Sequence, residues 1–147
     1  MATTRIFTIG FTKKNAERFF TLLKDAGVTK VIDVRLNNIS QLAGFAKRDD
    51  LAFFLREICG CEYIHRPDLA PTKEILDSFK KKEFAWEHYE KKFKELMQER
   101  GLESMLSVDE LNESCLLCSE ATSDVCHRRL VAEMFAEIYP EVELTHL

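Results

Sequence analysis

Cys115-Leu116-Leu117-Cys118-Ser119-Glu120-Ala121-Thr122-Ser123-Asp124-Val125-Cys126-His127-Arg128-Arg129 is the stretch whose reading decides the fold. Its first four residues form an unbroken apolar run, which suits a strand buried on both faces of a parallel sheet. Ser119 and Glu120 then leave that strand. Ser123 or Asp124 can cap a following helix. The helix carries Leu130, Val131, Met134, Phe135 and Ile138 along one stripe. Two thiols, a carboxylate, an imidazole and guanidinium groups therefore gather around one strand-to-helix turn. Packing alone does not call for so many reactive groups in one place.

Working outward, strand and helix alternate along the rest of the chain. Arg5 to Ile9 reads as a first strand closed by Gly10, and Asn15 caps a helix that runs to Ala26 and ends at Gly27. A second strand covers 29–34. A second helix starts at Asp49 or Asp50, with Leu51, Phe54, Leu55 and Ile58 on one side, and Gly60 ends it. Glu62–His65 is a third strand stopped by Pro67, and Thr72 caps a short helix. Lys80 to Arg100 reads as one longer amphipathic helix, and a last strand starts at Val142. The alternation predicts a single α/β domain over residues 1–147. Its sheet is mainly parallel, of about five strands, with helices on both faces.

Composition narrows the function. The chain has 147 residues, enough for a real core, and no apolar run of membrane-spanning length. Its opening residues lack signal-peptide architecture. A net charge of -4 argues against a generic polyanion binder. The lysines at 80–82 and 91–92 are interleaved with acidic residues, as on a solvated helix face. Five cysteines, Cys59, Cys61, Cys115, Cys118 and Cys126, make an odd number. They suggest reduced thiols and a cytoplasmic location. Cys115 and Cys118 are three apart on a strand and so face opposite sides, which makes a poor zinc knuckle. The corner Cys59-Gly60-Cys61 reads as packing.

In open α/β sheets ligands bind beyond the carboxyl ends of the strands. The residues delivered there are Gly10 and Phe11, then Asp33, Arg35 and Asn37, then His65 and Arg66, and finally Cys118, Glu120, Cys126, His127 and Arg128. Glu120 follows a buried strand directly and suits an acid, base or nucleophile. Asp33 and His127 complete the catalytic set as orienting groups. Arg35 and Arg128 would clamp a phosphate or carboxylate, helped by backbone N–H groups at the helix start. Gly10, Cys118, Cys126 and His65 line the ligand's position. Each has a plainer reading: Asp33 and Arg35 as an ion pair, Cys118 as a small apolar filler, His127 as a hydrogen-bonded core residue, Glu120 as a brace. Cys126, in the first turn of a helix, is a candidate thiolate. Cys118, Cys126 and His127 offer zinc ligands, but no fourth is obvious and no metal is assigned. The sequence names no cofactor. It has no Walker A loop, no G-x-G-x-x-G, no G-x-S-x-G and no C-x-x-x-x-x-R.

The order Thr8-Ile9-Gly10-Phe11, Asp33-Val34-Arg35, Tyr63-Ile64-His65, Cys118-Ser119-Glu120 and Cys126-His127-Arg128 resembles the domain of unknown function 488 family over nearly the whole chain. The resemblance implies a Rossmann-like domain and brings no activity with it. Phe11 stands where a histidine is common, and Arg66-Pro67-Asp68-Leu69-Ala70-Pro71 replaces the more usual L-P-x-L-G-G, as in a variant branch.

Three functions compete. The favoured one is an enzyme acting on a small anionic or nucleotide-like ligand. A nucleic-acid-associated module using the same edge is disfavoured by the acidic net charge, and a thiol redox protein would rest on Cys118 and Cys126. No membrane partner is expected, and the oligomeric state is open.

Overall fold

Five strands, β1 (Thr4–Gly10), β2 (Lys30–Asp33), β3 (Glu62–His65), β4 (Ser114–Cys118) and β5 (Val142–His146), form one sheet in the order β3-β2-β4-β1-β5, every neighbouring pair parallel. The structure, a computed structural model, describes residues 3–36, 44–80, 85–118 and 126–147. Glu120, and Ser123 and Asp124 as possible caps, lie outside the described residues, as does the loop residue Asn37.

The central strands have no polar face, because both sides are covered. All of β4 is buried. Side-chain alternation sorts its residues, and those of β1 and β2, onto two cores. Ile6, Ile32, Val34, Leu116 and Cys118 pack with Tyr89, Phe93 and Met97 of α4 (Trp86–Glu99) and with Leu130, Val131 and Phe135 of α6 (His127–Ile138). Phe7, Ile9, Val31, Cys115 and Leu117 pack on the other face with Phe19, Phe20 and Leu23 of α1 (Ala16–Ala26) and Leu51 of α2 (Arg48–Phe54). Fully burying such a side chain contributes about 1.5–3 kcal/mol, so the two cores are the main source of stability. As the spacing predicts, Cys115 and Cys118 lie in different cores.

The elements begin and end where local chemistry directs. Asn15 caps α1, its side chain accepting from the Arg18 N–H at 2.8 Å, and Gly27 closes the helix in the left-handed conformation at φ 76°. Thr72 Oγ1 accepts from the Ile75 N–H at the start of α3 (Lys73–Lys80). A capping box at Ser107 and Glu110 opens α5 (Val108–Leu111). At the corner after α2, the Cys61 thiol donates to the Val28 carbonyl at 2.9 Å, and burial pushes that thiol up to about 12.

Four expectations need correction. The helix of the middle segment is Trp86–Glu99, shorter than the Lys80–Arg100 span its apolar period suggests, and 81–84 lie outside the described residues. The second helix widens after Phe54 into a π-helical turn, Leu55–Cys59. The extra residue in that turn takes Ile58 off the apolar stripe, leaving it 43% exposed. The cap of α6 is Cys126 itself, with no side-chain cap hydrogen bond. Strand β2 is also a residue shorter at each end than 29–34.

The order of strands locates a crevice. The connection from β1 through α1 crosses to β2 on one face of the sheet. The connection from β4 through α6 crosses to β5 on the other. The two paths part between the adjacent strands β1 and β4, the topological switch point at which such sheets bind ligands. Gly10 and Cys118, the last residues of those strands, are paired in register there.

Candidate functional site

The residues beyond the carboxyl edge form two groups. The first is built on β2 and β3. Asp33, fully buried, accepts from Arg35 Nε at 2.8 Å through one oxygen and from Arg35 Nη2 at 2.7 Å through the other. Its first oxygen also accepts from the Arg35 backbone N–H, and its second from the Tyr63 hydroxyl at 2.5 Å. His65 is paired with Asp33 in register, and its Nε2 donates to the Arg35 carbonyl at 2.8 Å, since a carbonyl only accepts. Burial works against the Arg35 charge. The hydrogen bonds and negative charge of Asp33 outweigh it and hold the guanidinium above its usual range. The ion-pair reading of Asp33 and Arg35 is thus realised, with Asp33 fixing where the guanidinium points.

Arg35 Nη1 is buried and has no hydrogen-bond partner among the described residues. The charge lies over the Phe11 ring at 5.3 Å, within cation–π range. Phe11, where the family resemblance leads one to expect a histidine, thus supplies a face for Arg35. Three residues on, the Lys14 ammonium has its pKa lowered by burial and by the nearby positive charges of Arg128 and Arg18. Arg128 is 1% exposed. The Arg35 guanidinium thus lies against the short loop after β1, and the charge of Arg128 is felt at Lys14 in the same loop. Arg66, by contrast, is engaged with Asp68 at 2.7 Å and with the Met105 carbonyl, which takes it out of the candidate site.

The second group lies at the β4–α6 junction. Cys118, Cys126 and His127 are all buried, and their ligand atoms lie within 4.8 Å of one another. His127 Nε2 is 2.7 Å from the Val34 carbonyl, and its Nδ1 is 3.7 Å from Cys118 Sγ. Phe93 packs against the imidazole, ring centroids 5.6 Å apart, and Tyr89 stacks on Phe93. The thiolate expectation for Cys126 is overturned. The hydrogen bond with Cys118 and burial push its pKa well above the ordinary value, against the opposing charges of His127 and Arg128. Position at a helix start does not outweigh removal from water.

Sequence reasoning missed Tyr63, Lys14, Tyr89 and Phe93 as parts of these groups. Tyr63 carries a signal: it lies two residues before His65 on the strand neighbouring Asp33, hence on the same face. The other three are brought in by loop and helix placement.

Cys115, on the opposite face from Cys118, links pH to stability. Its thiol is pushed up by burial. In the unfolded chain a thiol ionises from about pH 8.5. The stabilisation is therefore complete below that pH and is lost as pH rises from there toward the folded value. The urea midpoint is expected to fall between pH 8 and 10, with Cys115 accounting for up to about 1.4 kcal/mol per pH unit. Cys115→Ala should flatten the slope by that share, and an unchanged slope would contradict this assignment.

No helix among the described residues is long and apolar enough to cross a membrane. Comparison with curated proteins and with solved structures returns no match. The model of the family described as domain of unknown function DUF488 matches residues 15–135, which takes in β2, β3, β4 and most of α6 together with Asp33, Arg35, His65, Cys118, Cys126, His127 and Arg128, and the chain belongs to that family.

Proposed function

We propose that the chain is a cytoplasmic enzyme acting on a small anionic or nucleotide-like ligand held at the carboxyl edge of the sheet. The observation that carries this reading is the buried Arg35. Asp33 satisfies Nε and Nη2 and aims the group, while Nη1 keeps an unmet hydrogen bond among the described residues. An unpaired buried donor is costly, and a phosphate or carboxylate oxygen would satisfy it with charge assistance. Arg128, at the start of α6, adds the second arm of the clamp, and the N–H groups of that helix start favour an anion. Asp33 and His127 orient the groups around the ligand. Glu120, two residues past the end of β4 in sequence, supplies the acid, base or nucleophile.

A thermal-shift panel of phosphate, pyrophosphate and nucleoside mono-, di- and triphosphates tests the clamp. At least one should raise the melting temperature, and Arg35→Met should remove the shift. If no anion shifts the protein, or if the shift survives Arg35→Met, the clamp is wrong. Once a turned-over ligand is in hand, Glu120→Gln should keep stability within about 1 kcal/mol and still bind that ligand while abolishing turnover. Full activity in that variant would return Glu120 to the role of a brace.

A further inference from the structure

We infer that Cys118, Cys126 and His127 form a zinc(II) site that keeps one coordination position for a ligand from outside the chain. Among the described residues no fourth histidine, cysteine, aspartate or glutamate joins the three, as a closed structural zinc would require. The geometry fits the open alternative, in which three protein ligands hold the ion and the fourth position is left to water or substrate.

Three features support the site. The first is convergence: the last residue of β4, the cap of α6 and the first residue of α6 bring two sulfurs and an imidazole within 4.8 Å of one another. Around a tetrahedral zinc, with bonds of about 2.3 Å to sulfur and 2.0 Å to nitrogen, the sulfur–nitrogen edge is about 3.5 Å. The Cys118 Sγ to His127 Nδ1 separation of 3.7 Å is close to that edge in length, and binding requires the thiol to turn toward Nδ1, since Sγ is also 3.9 Å from Nε2.

The second feature is the tautomer. The Val34 carbonyl can only accept, so His127 Nε2 carries the proton in the 2.7 Å hydrogen bond between them. Nδ1 then carries the lone pair; Cys118 Sγ lies 3.7 Å from Nδ1 and 3.9 Å from Nε2, off the line of that lone pair, so the thiol must rotate to share an ion with it. A metal-binding imidazole usually donates its other N–H to such a fixed acceptor, which sets the ring's orientation. Phe93 supports the ring from the helix α4 side.

The third feature is the donor set. Two thiolates neutralise a divalent ion, so the bound site places no net charge in the interior, and soft sulfur donors select zinc over hard cations. Binding replaces each S–H bond by a zinc–sulfur bond, releases the two protons to solvent and changes no oxidation state. Cys115 cannot join, because it faces the other core. The site shares His127 with the proposed function but no ligand with the Asp33–Arg35 pair, so Arg35→Met tests the anion clamp without touching the zinc ligands.

Cobalt(II) titration of the metal-free, reduced full chain under anaerobic conditions tests the site, with zinc then added as competitor. The expected result is one equivalent of cobalt, near-ultraviolet sulfur-to-cobalt charge-transfer bands, strong visible bands of tetrahedral type, and displacement by one equivalent of zinc. Cys126→Ser and His127→Gln should each weaken binding by more than roughly 100-fold, beyond the range of losing an outer-shell partner. Cys115→Ser, an equally buried thiol on the other face, should leave affinity unchanged. Because a buried substitution can fail to fold, alkylation of the unaltered protein gives an independent measurement. At urea concentrations that open the zinc-free protein, zinc should slow the reaction of Cys118 and Cys126 with iodoacetamide while Cys59, which is partly exposed in the native chain, reacts at the same rate with and without it. A wild-type chain with no one-equivalent cobalt spectrum, tight binding retained in Cys126→Ser, or equal alkylation with and without zinc would each overturn the site. So would a Cys118–Cys126 disulfide that forms in an oxidised glutathione buffer equally fast with and without zinc, the behaviour of a redox pair.

Discussion

Asp33→Ala is expected to cost about 3–5 kcal/mol, measured as a lower urea midpoint with an unchanged slope. Both carboxylate oxygens of Asp33 are engaged by Arg35, and side-chain exposure is 0% for the aspartate and 4% for the arginine. Removing the carboxylate leaves a guanidinium in the interior with its charge uncompensated, and breaking a buried pair on one side carries a penalty of that size. The Tyr63 hydroxyl loses an acceptor as well. The double variant Asp33→Leu with Arg35→Met removes both charges and should recover much of the loss, since a buried pair adds little net stability over well-packed apolar residues. That double variant separates structure from function: it should fold and fail to bind any anion that Arg35 holds. If Asp33→Ala loses less than about 1 kcal/mol, the pair is better solvated than its burial indicates.

Phe93→Ala should have a comparable effect, about 3–5 kcal/mol, as large aromatic truncations in cores do. Phe93 is fully buried between α4 and the sheet, stacked with Tyr89 at 6.2 Å and packed on His127. Its loss removes both core volume and the support under the imidazole. Phe93→Leu should recover most of the stability by refilling the space. Chemical denaturation of the three forms gives the comparison, and an Ala variant within about 1 kcal/mol of wild type would show that the helix closes over the cavity.

Much of the architecture is legible from residue order. The unbroken run at Cys115–Cys118 indicates a central strand, because only a strand covered on both faces can dispense with polar alternation. Asn15, Gly27 and Gly60 mark helix ends through chemistry local to the chain, and the structure places helix ends at each. The π-helical turn at Leu55–Cys59 is not legible. No proline or glycine interrupts those residues, and the period runs through them undisturbed.

For the site, the sequence identifies the residues that the strands carry to one edge but not how they group. Asp33 and Arg35 are two apart, so their pairing is within reach of a sequence argument. The meeting of His127 with the Val34 carbonyl depends on where α6 settles over the sheet, which no local pattern records. The fate of Cys126 turned on the same distinction. Its place at a helix start can be read from sequence, whereas the depth of its burial follows from tertiary packing.

The position of β4 between β1 and β2 also governs the order in which the chain can fold. Ile6 and Lys30 both take Ser114 as their partner across the ladders. Until that strand has been synthesised, the first half of the chain holds β1 on one side and the β2–β3 pair on the other with nothing to join them. The loop closures that complete the sheet are therefore long ones, which slow folding, because their entropy is lost before the contacts repay it. Emerging from the ribosome, the chain leaves the backbone N–H and C=O groups on the facing edges of β1 and β2 without their ladder partners until Ser114–Cys118 arrives to pair with both, and a chain stopped short of Ser114 lacks the strand that joins β1 to the β2–β3 pair.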